Sequence, residues 1–175
     1  MATRMKHLVV GASIAVALAL VTGATTGVAA ALRTIQMFDQ CDPDTFNAFG
    51  GPGTCVGNAG GVQFDVFISQ LMHHGSAGAW HFTPDPLRLR EGEEFIATNR
   101  GGEAHTFTEV EEFGGGFFQP LNDLLGLTPT PECLAIANDP PLLPGQSTIP
   151  EDEEPGVTHY QCCIHPWMRT DVIVR

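Results

Sequence analysis

Tyr160-Gln161-Cys162-Cys163-Ile164-His165-Pro166-Trp167-Met168 is the stretch on which the reading of this chain turns. Successive side chains of an extended strand face opposite sides. Thr158, Tyr160 and Cys162 therefore share one face, and His159, Gln161 and Cys163 share the other. A core takes the face carrying Tyr160 before the one carrying Gln161 and His159, so Cys162 is expected to point inward and Cys163 outward. His165 follows Cys162 by three positions, and Met168 follows His165 by three. A thiolate at a strand end, an imidazole in the next turn and a thioether beyond it can then approach one point. With Cys163 as the inward sulfur the spacing shrinks to Cys-x-His, which is cramped.

A second histidine, His105, heads the alternating segment His105-Thr106-Phe107-Thr108-Glu109-Val110. Alone, His105 would read as a structural histidine and Met168 as core packing. Together the four residues offer one thiolate, two imidazoles and one thioether, the set that suits a trigonal copper site with a long, weak axial methionine. The expected ligands of a single copper ion are thus His105, Cys162, His165 and Met168. Pro166 and Trp167 are either ordinary packing or an apolar rim around His165, whose outer ring edge would then be an electron exit.

Outward from this loop the chain reads as short strands. Val62, Phe64, Val66 and Ile68 alternate, Leu87 and Leu89 alternate with Arg88 and Arg90, and Glu94 to Asn99 follows the turn at Glu91-Gly92-Glu93. Period-two alternation with Gly and Pro punctuation indicates an all-β sandwich or barrel. Residues 113–145 break the rhythm, with Gly114 to Gly116 at the start and two segments, Leu121 to Leu125 and Pro131 to Ala137, that could each form a short helix. So long a connection is expected to be a packed or functional insertion.

The N-terminus reads differently. Arg4 and Lys6 precede an uncharged apolar run from Leu8 to Val21, and small residues lead to Val28-Ala29-Ala30. This is the pattern of a secretory signal peptide cleaved near residue 30. The run is shorter than the roughly 20 residues that a spanning helix needs. The expected organisation is a signal peptide at 1–30, an extension with a disulfide at 31–60, and one domain at 61–175. Removing residues 1–30 takes away Arg4 and Lys6, leaving 6 arginines against 20 carboxylates and a net charge of −14. Nucleic acid and anionic lipid are poor partners for such a surface, which suits either a protein with a cationic patch or solubility in a salty or acidic setting.

Five cysteines in an exported chain should mostly pair, leaving one over for a metal. Cys41 and Cys55 look like a local staple, whose closure contributes about 3 kcal/mol in the chain-entropy picture. Cys133 and Cys163 then pair by elimination. His73-His74 and His81 raise the question of a second metal site, but no carboxylate or cysteine motif accompanies them. The acidic run Glu151 to Glu154 reads as a solvated turn or a docking site for a cationic partner.

Residues from about 80 to 175 resemble the plastocyanin–azurin (cupredoxin) family. Phe82-Thr83-Pro84, Leu87-Arg88-Leu89-Arg90-Glu91-Gly92, Asn99 and Gly102-Glu103-Ala104-His105-Thr106 resemble its middle strands, and Pro144-Gly145-Gln146-Ser147 with Pro155-Gly156 resembles the approach to its copper loop. The loop Cys162 to Arg169 is most similar to that of amicyanin, where methionine follows histidine by three positions. The resemblance implies a Greek-key β-sandwich, with copper held by His105, Cys162, His165 and Met168. Two departures stand out: the insertion at 113–145, and Thr106 where many members have Asn. Thr106 is expected to donate a hydrogen bond across to the Cys162 segment. The implied function is one-electron transport through a type 1 (blue) copper ion, in the periplasm or outside the cell, with a redox protein as partner. The alternatives are a copper-delivery module of the cell envelope and a cupredoxin-like interaction domain. No Ser-His-Asp set, phosphate-cradling loop or paired-carboxylate motif points to an enzyme.

Overall fold

Two sheets enclose the main core. In the computed structural model, which describes residues 32–57 and 59–175, the elements run β1 (Arg33–Phe38), α1 (Pro43–Gly50), α2 (Phe64–His74), β2 (His81–Thr83), β3 (Leu87–Leu89), β4 (Phe95–Asn99), β5 (Thr108–Val110), α3 (Gln119–Leu125), α4 (Pro131–Ala135), β6 (Gly156–Gln161) and β7 (Arg169–Val174). The segment expected to be a signal peptide lies outside the described residues.

One sheet has the order β2-β1-β4 and the other β3-β7-β6-β5. Strand β1 runs parallel to β4 and antiparallel to β2. Strand β6 is antiparallel to both β5 and β7, and β3 closes the edge parallel to β7. Alternation puts Ile35 and Met37 of β1, Leu87 and Leu89 of β3, and Val172 and Val174 of β7 into one shared core. Tyr160 stacks on Phe107 with ring centroids 4.3 Å apart and meets Phe95 edge-on at 5.9 Å, joining the two sheets through aromatic contact. The architecture is a β-sandwich with a partly helical insertion.

Three departures from the sequence reading have physical causes. Residues 64–74 form a helix rather than a strand. Phe64, Phe67, Ile68 and Leu71 recur at helical spacing, which the four alternating positions from Val62 to Ile68 could not separate from a strand. Gly75 ends that helix in the left-handed region (φ 69°), and its N–H donates to Leu71 O at 2.8 Å. Within the expected 31–60 extension, β1 lies between β2 and β4, so this segment is the middle of a sheet. Finally, only Thr108–Val110 of the expected His105 strand lies in a ladder. His105 itself pairs in a single bridge with Leu142 of the insertion, by hydrogen bonds of 3.1 and 2.8 Å.

The insertion covers the outer face of β6. The Gly114 N–H donates to Gln161 Oε1 at 3.0 Å, and the Phe117 N–H to Cys163 O at 2.9 Å. Cys133 is bonded to Cys163, and these two with Val110, Phe113, Phe117 and Ile136 make a second, smaller apolar cluster. Gln161 is consequently 0% exposed, although its face of the strand was expected to be the outer one. Gly116 fits only because it lacks a side chain: a Cβ there would lie 1.8 Å from Cys163 O.

Candidate metal centre

The site forms where the β4–β5 connection meets the turn between β6 and β7. Cys162 directly follows β6, and the turn after it is closed by Cys162 N–H to Met168 O (3.0 Å) and Met168 N–H to His165 O (2.9 Å). That turn aims the His165 ring back at the Cys162 sulfur. His105 arrives from the β4–β5 connection, held by Leu142. Among the described residues, His105, Cys162 and His165 place their ligand atoms within 4.8 Å of one another. Met168 adjoins them through the main chain, with its side chain 1% exposed.

Cys162 Sγ lies 3.8 Å from His105 Nδ1 and 3.7 Å from His165 Nδ1, and the two nitrogens are 3.2 Å apart. A triangle with those sides has its centre roughly 2.1 Å from each corner, the length of a bond between imidazole nitrogen and a first-row metal. The outer nitrogens settle which ring atoms face inward. His105 Nε2 is 2.8 Å from Asp39 Oδ2, so it carries the proton and donates to the carboxylate. His165 Nε2 faces Glu103 Oε2 at 3.6 Å, a charge contact beyond hydrogen-bond length. Two ring nitrogens and a sulfur thus converge on one point, an arrangement that a cation between them would hold together. The donor set fits copper.

Burial and hydrogen bonding shape the charges. His105 and Cys162 are 0% exposed and His165 is 4% exposed. Burial alone would push the Cys162 thiol up, but the hydrogen bonds and charges of His105 and His165 outweigh it and hold it well below its ordinary value. At Asp39 burial is likewise outweighed: His105 and the backbone N–H groups of Glu103 and Gly102 favour the carboxylate and lower its pKa. Those amides donate at 3.0 and 2.9 Å. Burial disfavours the imidazolium at His105, yet Asp39 and the Cys162 sulfur raise its pKa overall. The sulfur also accepts the N–H groups of Thr106 and His165, both at 3.4 Å.

Thr106 stands beside this network, its Oγ1 accepting the Cys163 N–H at 2.7 Å. Its hydroxyl thus receives from the Cys162 segment, while its amide donates to the sulfur. Cys41 is bonded to Cys55, and Cys162 is the free cysteine. Asp39, Cys41 and Glu103 also cluster, but the Cys41 sulfur is committed to its disulfide. His73 and His74 are exposed at the end of α2, and His81 stacks on Phe38 at 5.5 Å.

The sequence reading missed Asp39, Glu103 and Trp80. Trp80 Nε1 donates to Glu103 Oε2 at 2.6 Å. The position of Glu103 two residues before His105 was the available signal. The His165 ring meets Trp167 edge-on at 5.5 Å and forms one wall of an apolar cavity of about 550 Å³ that Phe46, Phe64, Phe67, Leu121 and Ile164 also line. Helices α1, α2 and α3 contribute to that lining.

No protein-family model matches the sequence, and no curated protein matches it. Among solved structures, the chain is similar to a purple cupredoxin from Nitrosopumilus maritimus, with 25% identity over 57% of this chain and 86% of that one, at a TM-score of 0.40. It is similar also to a Cu(I) form of an amicyanin variant, with 20% identity over 57% of this chain and 76% of that one, and a TM-score of 0.37. A reduced amicyanin variant is matched at 20% identity over 57% and 78% of the two chains, again with a TM-score of 0.37. Among the described residues no helix is long and apolar enough to cross a membrane.

Proposed function

We propose that this chain is an exported type 1 (blue) copper protein that carries one electron at a time. The observation that carries the reading is the buried triangle of His105 Nδ1, His165 Nδ1 and Cys162 Sγ. Cys162 would supply the thiolate, His105 and His165 the imidazoles, and Met168 the thioether that hold the ion. Copper bound to these atoms supplies a one-electron couple between Cu(I) and Cu(II).

The residues have distinct tasks. Asp39 fixes the His105 ring through Nε2 and leaves Nδ1 free to bind. The Thr106 and His165 amides hold the sulfur in place and draw off part of its charge. The Cys133–Cys163 bond and the bridge between His105 and Leu142 tie both ligand-bearing segments to the insertion. A donor set braced this way changes little between oxidation states, which keeps the reorganisation on electron transfer small. Thr106 tunes the site through the Cys163 amide. The two disulfides and the N-terminal apolar segment favour the periplasm or the cell exterior. The acidic surface favours a redox partner with a cationic patch.

The second reading, a copper-delivery module, uses the same ligands with the ion as cargo. Complete burial of His105 and Cys162 favours a retained ion. An absorption spectrum tests the proposal. Copper-loaded protein is expected to be intensely blue or purple, to bleach on reduction and to recover on oxidation. Cys162→Ala should abolish the colour while Cys163→Ala keeps it. A colourless protein that yields Cu(I) readily to a chelator would overturn the carrier reading in favour of delivery. A protein that takes up no copper would leave the interaction domain.

A further inference from the structure

Glu103 is a buried acid that the site described so far does not use. The residue is 8% exposed, and its Oε2 lies 3.6 Å from His165 Nε2, on the side of the ring away from Cys162. Trp80, itself 1% exposed, donates to the same oxygen at 2.6 Å and fixes the carboxylate against the ring. The main chain of Glu103 already has its own tasks. Its N–H donates to Asp39, and its carbonyl accepts from Asn99 Nδ2 at 2.8 Å. As a partner for the Trp80 indole, an uncharged glutamine would serve equally well. A carboxylate differs from it in charge: burial pushes the Glu103 carboxyl up, the facing His165 ring and the Trp80 N–H pull it down, and a cation between the imidazoles would favour the charged form further. Asp39 supplies the matching carboxylate at the outer nitrogen of His105, so the donor triangle is bracketed by acids at both imidazoles.

We propose that Glu103 is a positioning residue for His165 whose negative charge favours the oxidised state of the bound ion and so holds the reduction potential of this centre low. The proposal rests on the copper reading above. Oxidation adds one positive charge at the centre of the triangle, and a fixed negative charge nearby in a dry environment lowers the free energy of that state more than of the reduced one. Removing the charge therefore weakens Cu(II) binding selectively and raises the potential.

The test compares wild type, Glu103→Gln, Glu103→Asp and Trp80→Phe at one pH. The midpoint potential is measured by spectroelectrochemical titration of the visible band, and Cu(I) and Cu(II) affinities by chelator competition. Glu103→Gln is expected to shift the potential upward and to lower Cu(II) affinity on the order of tenfold to a hundredfold, with Cu(I) affinity nearly unchanged. Glu103→Asp keeps the charge and should stay nearer to wild type. Trp80→Phe removes the hydrogen bond that draws charge from the carboxylate, so its potential should shift downward. Should Glu103→Gln keep the colour with an unmoved potential, or lose both affinities in equal measure, Glu103 is merely structural and the proposal fails. A wild type without colour sinks the copper reading itself and with it this inference, whereas coloured wild type with unshifted variants sinks the inference alone.

Discussion

Asp39 and His105 stand 66 residues apart in the chain, and their side chains meet at 2.8 Å with no solvent on either. The end of β1 thus holds the ring of a ligand that arrives after β4. Asp39→Asn keeps the shape but gives the ring a weaker acceptor and removes one buried charge. Copper affinity measured by chelator competition should drop by about tenfold to a hundredfold. An unchanged affinity would show that the ring is held by packing alone.

The fit of Gly116 over the Cys163 carbonyl gives a second prediction. Gly116→Ala must move the insertion or the ligand loop, because the added carbon would lie 1.8 Å from a backbone oxygen. Overpacking of this kind costs about 1–3 kcal/mol. Thermal unfolding should show a lower midpoint, together with a shifted visible band if the loop is what yields. A midpoint equal to wild type would contradict the close approach.

Gln161 offers an independent test of how the insertion docks. Its Oε1 accepts from the Gly114 N–H at 3.0 Å, and its Nε2 reaches Cys133 Sγ at 3.2 Å. Gln161→Ala leaves the half-buried Gly114 N–H without its acceptor, at a cost of about 1 kcal/mol. Amide hydrogen exchange at residues 114–117 should accelerate more than exchange in β7. Uniform acceleration along the chain would mean that the glutamine serves global stability alone.

Glu151 makes stability depend on pH. Burial raises its carboxyl above the ordinary value of 4.5, outweighing the hydrogen bond from Tyr160, and the neighbouring Glu153 adds repulsion. Because the folded state binds this proton more tightly than the unfolded state, the group favours folding below the ordinary value. That contribution is lost as pH rises through the raised one. Glu151→Gln should therefore unfold at a higher temperature than wild type near neutral pH, with the difference shrinking toward pH 4. The opposite trend would mean that the charged form is the one the fold prefers.

Much of the centre was legible because it is local. Strand parity through Tyr160 and the turn from Cys162 to Met168 involve neighbouring residues, so their chemistry can be read from spacing. The strands Leu87–Leu89 and Phe95–Asn99 showed themselves in the same way. What stayed hidden depends on distant partners. Residues 33–38 become a central strand by pairing with β2 and β4, and nothing inside the segment announces either neighbour. Gln161 is polar yet enclosed, because an insertion of unpredictable course folds over it. Asp39 and Glu103 look in sequence like ordinary surface acids, since the imidazoles that give them a purpose lie elsewhere in the chain or behind a turn. Helix α2 was obscured by its own first residues, whose apolar positions satisfy both periods.

Cys162 and Cys163 end in different clusters, one in the main core and the other under the insertion. The pleat of one strand is what sends two chemically identical neighbours to opposite fates. A one-residue deletion between Gly156 and Gln161 would exchange those fates, turning the cross-linking sulfur inward and offering the Cys162 sulfur to Cys133. Substitutions within that strand leave the two sulfurs on their own sides, whereas a change of its length does not.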